Sequence, residues 1–205
     1  MCMLPKDVSE ITNERNIRLS FEERVLESVS EPDTYVGPIH SKADEDHEMT
    51  IATETTEHHQ ALLQSVRATA RAAGLSYAGG VTPRQAWELF SAGAAQLVDV
   101  RTAEERKFVG QVPGSAHVPW ATGTSLTRNP RFVRELEAKL GGKDKPVLLL
   151  CRSGKRSVAA AEAATQAGFT QVYNILEGFE GELDEHKHRG GRDGWRYQQL
   201  PWEQD

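Results

Sequence analysis

The sequence of 205 residues contains only two cysteines, Cys2 and Cys151, and no apolar run close to the length that crosses a membrane. Two cysteines cannot make the disulfide framework of a small secreted domain, and a transmembrane helix needs about 20 mostly apolar residues. The first residues also lack the charged, then apolar, then small-residue order of a signal peptide. These features predict a protein of the reducing cytoplasm without a membrane segment.

Signals for nucleic-acid and metal binding are also missing. The 24 Lys and Arg are outnumbered by 30 Asp and Glu, and no basic face carries interleaved aromatic residues, so nucleic acid is not an expected partner. His186 and His188 are two residues apart, a spacing that does not place both on one helix face, and no further ligand set accompanies them. We therefore expect neither a metal nor a cofactor.

The first part of the chain differs in composition from the rest. Residues 1–48 hold 5 Lys and Arg against 12 Asp and Glu, a net charge of −7, whereas the whole chain carries −6. Low apolar content and high charge predict that residues 1–56 form an acidic, mostly disordered extension, with a short amphipathic helix within residues 16–29. Because the composition changes near Met49, a start of translation there is an alternative. Residues 57–205 are the predicted folded domain.

The rest of the chain alternates between helix and strand patterns. The candidate elements follow in the order helix, helix, strand, strand, helix, strand, helix, strand over residues 57–73, 83–92, 96–101, 116–120, 130–140, 147–150, 158–167 and 172–176. Thr82 and Asn129 stand where N-cap residues are expected. Trp195 and Trp202 are predicted to hold the C-terminal segment onto the domain. The alternation predicts an α/β fold, a parallel sheet flanked by helices on both faces.

The clearest chemical signal is residues 146–157, Pro-Val-Leu-Leu-Leu-Cys-Arg-Ser-Gly-Lys-Arg-Ser. A short apolar run is typical of a strand buried on both faces, and Cys151 stands at its end, before a polar loop and an alanine-rich helix. Loop amides before a helix can hold an anion, and the basic side chains favour the thiolate of Cys151 over the thiol. Cys151 is therefore the candidate nucleophile. The candidate substrate-binding residues are Arg152, Ser153, Gly154, Lys155, Arg156 and Ser157.

The length of this loop indicates which group the cysteine carries. Cys151 and Arg156 form Cys-x4-Arg, one residue shorter than the Cys-x5-Arg of cysteine phosphatases, and a smaller cradle fits one sulfur atom on the cysteine better than a phosphoryl group. The motif Cys-Arg-Ser-Gly-Lys-Arg-Ser resembles the active-site loop of rhodaneses, sulfurtransferases that carry a persulfide on cysteine. Residues 97–101, Leu-Val-Asp-Val-Arg, and residues 110–116, Gly-Gln-Val-Pro-Gly-Ser-Ala, resemble a second rhodanese signature, with Gln111 where the family usually has histidine.

This resemblance covers about residues 75–205 and implies a rhodanese-like fold and a single-domain sulfurtransferase. Cys151 would take sulfane sulfur from thiosulfate or a similar small anionic donor and pass it to cyanide, a thiol or a protein acceptor. Asp99, Arg101 and Glu105, in and beside the second signature, are interpreted as a structural charge network rather than a catalytic set.

Three alternatives are weighed against this function. A phosphatase or arsenate reductase would use the same cysteine, and the short loop argues against it. A non-catalytic sulfur carrier or protein-binding module would use the acidic extension as its contact, although the intact Cys151 and its basic loop argue against a domain without chemistry. A plain core cysteine would leave three basic residues around a thiol unexplained.

Overall fold

The computed structural model describes residues 42–204, and for residues 42–52 it gives the course of the backbone only. These residues form the strands β1 (Gly79–Val81), β2 (Gln96–Asp99), β3 (Ala116–His117), β4 (Ala121–Thr122), β5 (Thr127–Arg128), β6 (Val147–Leu150) and β7 (Val172–Ile175). They also form the helices α1 (Lys42–Ala72), α2 (Pro83–Ser91), α3 (Ala103–Val109), α4 (Phe132–Leu140) and α5 (Lys155–Gln166).

Within this part of the chain, the main sheet has five parallel strands in the order β1-β7-β6-β2-β3. β6 is the central strand, and its Leu149 pairs with Val98 of β2 on one side and with Asn174 of β7 on the other. β4 and β5 pair with each other as a small antiparallel ribbon. The parallel order confirms the predicted α/β fold, since parallel neighbours need crossover connections.

Successive residues of a strand point to opposite faces of the sheet, and the strands have apolar residues on both faces. Helices cover both of these faces. One apolar cluster joins α1, α2 and Trp195 to the strand residues Leu97, Leu148, Leu150, Tyr173 and Ile175. The other cluster joins α4 and α5 to Val98, Val147, Leu149 and Val172, together with Cys151. The uninterrupted apolar run of β6 therefore lies between two apolar layers, as its sequence predicts.

Helix α1 begins earlier than the sequence predicts. The sequence predicts a disordered extension over residues 1–56 and a helix only after it, but the helix begins at Lys42. Later turns of α1 pack on β1, and once they are formed each further residue gains one hydrogen bond for one residue fixed, whereas starting a new helix fixes three residues for one bond. Residues 42–56 also contain neither proline nor glycine to stop the helix. The remainder of the extension, with the helix predicted within residues 16–29, lies outside the described residues.

The two predicted N-caps have different outcomes. Thr82 caps α2 as predicted, because its hydroxyl accepts the Gln85 N–H while the Gln85 side chain accepts the Thr82 N–H. Asn129 does not cap α4, which begins at Phe132. Its Oδ1 instead accepts the N–H of Arg131 at 2.9 Å and forms a local turn, a conformation that competes with helix at such residues.

Two other predicted boundaries are also corrected. α5 begins at Lys155 rather than at residue 158, so the last three residues assigned to the loop form its first turn. β3 has two residues instead of the predicted span 116–120, because the chain then turns into the β4–β5 ribbon.

β1, α3 and the β4–β5 ribbon were not predicted from the sequence. β1 contains two glycines, which strands disfavour, and it is a strand because it pairs with β7. Gly79 has a φ of +120° and lies against α1, where a Cβ would come within 2.8 Å of Val66 Cγ1. α3 has no buried residue, and its local signal is the capping box between Thr102 and Glu105.

The C-terminal segment is held to the domain by Trp195 and Trp202, as predicted. Trp195 is fully buried, and its indole N–H donates to Pro201 O at 2.9 Å. The Trp202 ring packs edge-on against Phe179, with 6.3 Å between the ring centroids. The main chain of Glu203 exchanges two hydrogen bonds with Gln111, of 2.8 and 2.9 Å.

A fully buried ion pair lies at the carboxyl end of β2. Arg101 donates from Nε to Asp99 Oδ1 at 3.0 Å and from Nη2 to Oδ2 at 2.6 Å, and the side chains of both residues have no exposed surface. Arg101 Nη2 also donates to Gly110 O at 2.8 Å, and the guanidinium lies 4.0 Å from the centroid of the Phe179 ring. The pair thus ties β2 to the chain that follows α3 and to Phe179.

We expect Arg101→Met to lower the free energy of unfolding by about 3–5 kcal/mol, because it leaves the Asp99 carboxylate buried without its partner. Arg131→Gln is the control, since its ion pair with Glu135 is exposed and should contribute less than about 1 kcal/mol. Urea unfolding monitored by circular dichroism measures both. Equal losses in the two variants would contradict a structural role for the buried pair.

Candidate active site

Cys151 directly follows β6, at the carboxyl end of the central strand, which is where open α/β sheets bind their ligands. Cys151 is 1% exposed to solvent. The loop of Arg152, Ser153 and Gly154 then turns the chain into α5, and Gly154 makes the turn with a φ of +82°. The predicted order of strand, cysteine, tight loop and helix is therefore the order found.

The loop is fixed from outside by the segment after β7. Phe179 N–H donates to Cys151 O at 2.8 Å, and Glu180 N–H donates to Arg152 O at 2.9 Å. Gly178 lies so close that a Cβ on it would come within 2.5 Å of Cys151 O, and its φ is +68°. No role for this segment was expected from the sequence, although Gly178 is the kind of residue that permits such a close approach.

The same contacts orient the loop amides. A trans peptide points its N–H away from its C=O, so the amides that follow Cys151 and Arg152 point away from the segment that binds those carbonyls. Within residues 42–204, the N–H groups of Arg152, Ser153 and Gly154 have no acceptor. Together with the first amides of α5 they are free donors at the positive end of a helix, an arrangement that binds anions.

Ser157 and Asn174 complete the surroundings of the cysteine sulfur. Ser157 Oγ lies 3.1 Å from Cys151 Sγ, 2.6 Å from Asn174 Oδ1 and 3.1 Å from Gly154 O, and Ser157 and Asn174 are both buried. The hydroxyl has one hydrogen to donate, so it can turn toward the sulfur when the sulfur is charged. Sequence reasoning missed Asn174, although it is the single polar residue in an otherwise apolar and aromatic strand.

Two of the three basic residues of the motif are paired with carboxylates. Arg156 makes a two-pronged ion pair with Glu105, with N–O distances of 2.7 and 2.5 Å. Lys155 Nζ lies 3.1 Å from Glu182 Oε1 near the surface. Arg152 is exposed and, within the part of the chain that the structure describes, has no carboxylate partner. Two of the three positive charges of the motif are thus balanced by carboxylates, and Arg152 remains uncompensated.

Pairing changes the pKa values of both Glu105 and Arg156. Burial alone would raise the pKa of Glu105, but hydrogen bonds from Arg156 and Thr102 and the positive charges nearby hold that pKa below its ordinary value. Burial would likewise lower the pKa of Arg156, but the hydrogen bonds and charge of Glu105, and more weakly the charges of Cys151 and Asp99, raise it. The two-pronged pair with Glu105 thus holds the Arg156 guanidinium in a fixed position.

The predicted network of Asp99, Arg101 and Glu105 is divided between two pairs. Asp99 and Arg101 pair with each other, whereas Glu105 pairs with Arg156 across 51 residues of sequence. The two pairs still interact, since the charge of Arg101 contributes to lowering the pKa of Glu105.

Gln111, which replaces the usual histidine of the second signature, connects α3 to the C-terminal segment. Its Oε1 accepts from Arg106 Nε at 3.0 Å, and its Nε2 donates to Glu203 Oε1 at 3.1 Å. The substitution therefore changes a local hydrogen bond away from the cysteine loop.

The described residues contain no group of three or more His, Cys, Asp or Glu that could hold a metal ion. His186 and His188 lie exposed on the surface. No described helix is long and apolar enough to span a membrane.

Comparison with known families decides the relationship. The family model described as "Rhodanese-like domain" matches residues 82–184, half of the chain, including Cys151 and both signatures. The chain belongs to the rhodanese-like family.

Relatives of this rhodanese-like chain include both solved and curated proteins. It is similar to Rv0390 from M. tuberculosis, a crystal structure with 47% identity and a TM-score of 0.57, covering 63% of this chain and 99% of that one. It is 37% identical over 110 residues to the uncharacterised protein RP600 of Rickettsia prowazekii, covering 53% of this chain and 83% of the relative. It is 34% identical over 96 residues to thiosulfate sulfurtransferase 16, chloroplastic, of Arabidopsis thaliana, covering 46% and 78%.

We expect Glu105→Gln to lower stability at pH 7 and to lose less stability than wild type on acidification. A carboxylate whose pKa is lowered by folding stabilises the fold above its unfolded pKa of about 4.3, and this contribution is lost as pH falls through the lower folded pKa. Urea unfolding at several pH values between 7 and 3 measures the difference. Glu137→Gln, which removes an exposed pair with Lys143, is the control. A wild-type advantage that stays constant down to pH 3 would contradict the coupling.

Proposed function

We propose that this rhodanese-like domain transfers sulfane sulfur from a small anionic donor such as thiosulfate to cyanide or a thiol, through a persulfide on Cys151. One observation carries the proposal: a buried cysteine sulfur at the carboxyl end of the central strand, in a loop of unbonded amides, with a hydroxyl 3.1 Å away. Such a cradle stabilises one negatively charged sulfur atom. A reducing cytoplasm is the proposed setting, because there the thiol stays free of disulfides.

The first step is a displacement at sulfur. The Cys151 thiolate attacks the outer sulfur of thiosulfate, a new S–S bond forms, and the old S–S bond breaks with its electron pair leaving on sulfite. The persulfide anion that remains carries its charge on the outer sulfur. The amides of the loop and the first turn of α5 donate to that charge, as they would to any anion at a helix N-terminus.

The second step returns the cysteine to its starting state. Cyanide or an acceptor thiolate attacks the outer sulfur, the S–S bond of the persulfide breaks, and its electron pair returns to Cys151 as the thiolate. The products are thiocyanate or a new persulfide on the acceptor. The Ser157 hydroxyl can donate to the returning thiolate from 3.1 Å. Between these steps the same hydroxyl can donate to Asn174 Oδ1, which keeps the Ser157 side chain in position.

The basic residues have different roles in this scheme. Arg156 contributes its charge from a fixed position, because two of its nitrogens donate to the two carboxylate oxygens of Glu105. Lys155 is held at the surface by Glu182. Arg152 is exposed and free to move, so it is the residue best able to attract the anionic donor from solution.

Wild-type protein incubated with thiosulfate should gain one sulfur atom in its intact mass and lose it again on addition of cyanide, with thiocyanate as product. Cys151→Ser should neither gain the sulfur nor turn over, because a serine hydroxyl is far less ionised and less nucleophilic than a cysteine thiol. Cys2→Ser is the control and should behave as wild type. Sulfur on Cys151→Ser would refute the proposed nucleophile, and no sulfur on any variant would refute thiosulfate as the donor.

Arg152→Gln should raise the KM for thiosulfate about 2- to 5-fold, the effect expected for one exposed charge, and the difference should shrink at high salt. The matched control is Lys145→Gln, which makes the same charge change at the opposite end of β6. Steady-state assays at low and high ionic strength measure both variants. An equal rise in the control would show that only the net charge of the protein matters.

A further inference from the structure

A cavity of about 480 Å³ lies at the amino ends of β1 and β7, opposite the end of the sheet that carries Cys151. Its wall includes Ala78, which directly precedes β1, and Thr170, which lies two residues before β7. Cavities that bind small molecules in proteins have volumes of about 300–1,000 Å³. The space is therefore large enough for a small molecule, and it has no part in the sulfur transfer at Cys151.

Two arginines of α1, Arg67 and Arg71, lie in the wall of this cavity. Arg67 donates from Nε to the Tyr173 hydroxyl at 2.6 Å and from Nη2 to Gln171 Oε1, and its Nη1 has no partner among residues 53–204. Arg71 is exposed, and its side chain binds none of those residues. Like charges four residues apart on a helix repel each other. An anion that binds both arginines would remove this repulsion.

The charge of the wall is positive. None of its residues is acidic, and neither Arg67 nor Arg71 forms an ion pair within residues 53–204. Burial, and more weakly the charge of Glu162, raises the pKa of the Tyr77 hydroxyl in the wall, so one carboxylate does lie nearby. Glu162 is itself exposed to solvent, which screens its charge. The cavity thus offers two cationic groups to a ligand.

The hydroxyl of Thr165 also lacks a partner. Thr165 lines the cavity from the last turns of α5, and its Oγ1 is buried without a hydrogen bond to any described residue. A threonine inside a helix often donates to the carbonyl four residues earlier, but this one does not. A buried polar group without a partner destabilises a protein. An oxygen atom of a ligand in the cavity would supply the missing acceptor.

The carboxyl ends of α1 and α5 also border the cavity, and the partial negative charge of a helix end disfavours an anion. Main-chain bonds close both ends, from Leu75 N–H to Ala70 O at 3.0 Å and from Phe169 N–H to Ala164 O at 3.1 Å. Each helix end is equivalent to about half an elementary charge, whereas each arginine carries a full charge. The two arginines therefore outweigh the two helix ends.

We propose that this cavity binds a small organic phosphate. A phosphate monoester carries about two negative charges at pH 7 and balances both arginines, whereas a carboxylate balances only one. The free nitrogens of Arg67 and Arg71 donate to its oxygens, and so does the hydroxyl of Thr165. The exposed side chain of Leu75 and the ring of Tyr77 form an apolar wall for the rest of the ligand.

This phosphate site is separate from the cysteine loop. Helix α5 connects the two, with Lys155 in its first turn beside the loop and Thr165 near its other end at the cavity. Ten residues of α-helix span about 15 Å, so one small phosphate cannot contact both places. The inference therefore does not depend on the sulfur transfer proposed for Cys151.

Calorimetry on the full-length protein tests the charge of the ligand, with phenyl phosphate as the probe and benzoate as its singly charged comparison. Phenyl phosphate should bind wild type about tenfold more tightly than benzoate, and Arg71→Gln should weaken phenyl phosphate by about tenfold, the effect of losing one charged hydrogen bond. Arg134→Gln, at an exposed arginine of α4, is the matched control and should keep the wild-type Kd. Absence of phenyl phosphate binding, or equal losses in the two variants, would overturn the proposal.

The cysteine loop is the other place on this protein where an anion can bind. Arg152→Gln removes the exposed charge of that loop and should leave the Kd of phenyl phosphate at its wild-type value, because the cavity lies at the opposite end of the sheet. Weaker binding to Arg152→Gln, with unchanged binding to Arg71→Gln, would place the phosphate at the cysteine loop and refute the proposed site.

Thr165→Val tests the same site through a neutral group. Valine has nearly the shape of threonine and no hydroxyl, so the free protein should keep or gain thermal stability when the unbonded polar group is removed. Phenyl phosphate should bind this variant about fivefold more weakly, because one hydrogen bond to the ligand is lost. Lower stability with unchanged phenyl phosphate binding would show that the hydroxyl serves the fold and would contradict its role in the site.

Discussion

The candidate active site depends on three main-chain hydrogen bonds between the cysteine loop and the segment after β7. Phe179 N–H binds Cys151 O, and the N–H groups of Glu180 and Gly181 both bind Arg152 O, at 2.8–3.2 Å. By taking the loop carbonyls on one side, they leave the loop amides facing the other side as free donors. Gly178 makes this possible, since any side chain there would collide with the loop. The anion cradle is thus a product of two distant segments meeting, and neither segment forms it alone.

A series of side chains in contact with one another holds Phe179, and with it the hydrogen bond from Phe179 N–H to Cys151 O. Asp99 holds Arg101, Arg101 lies on the Phe179 ring, Phe179 packs edge-on against Trp202, and Arg196 lies over Trp202. The series runs from the fully buried carboxyl end of β2 to Arg196, which is exposed at the surface. Phe179, whose N–H binds Cys151 O, therefore lies between the buried ion pair and the C-terminal segment. The geometry of the cysteine loop depends on both.

The sequence predicted the parts of the fold that depend on local signals. The apolar run of β6 predicted a strand buried on both faces, Thr82 and Pro83 predicted the start of α2, and the motif after Cys151 predicted the loop and helix. Predictions were less accurate where packing outweighs propensity. β1 contains two glycines and is a strand only because β7 pairs with it, and α1 extends to Lys42 because its docked turns nucleate the helix.

The sequence by itself determined that a cysteine with basic neighbours stands between a buried strand and a helix, because these features lie within twelve consecutive residues. Only the tertiary structure decided which partners the side chains of the cysteine loop and of the first turn of α5 have, and so which positive charges stay unpaired. Glu105 reaches Arg156 across 51 residues, Asn174 reaches Ser157 across 17, and Glu182 reaches Lys155 across 27. Each pairing depends on the order β7-β6-β2 of the sheet and on the crossovers that connect it. Strands that follow one another in sequence are often neighbours, but residue spacing does not decide that β6 lies between β2 and β7.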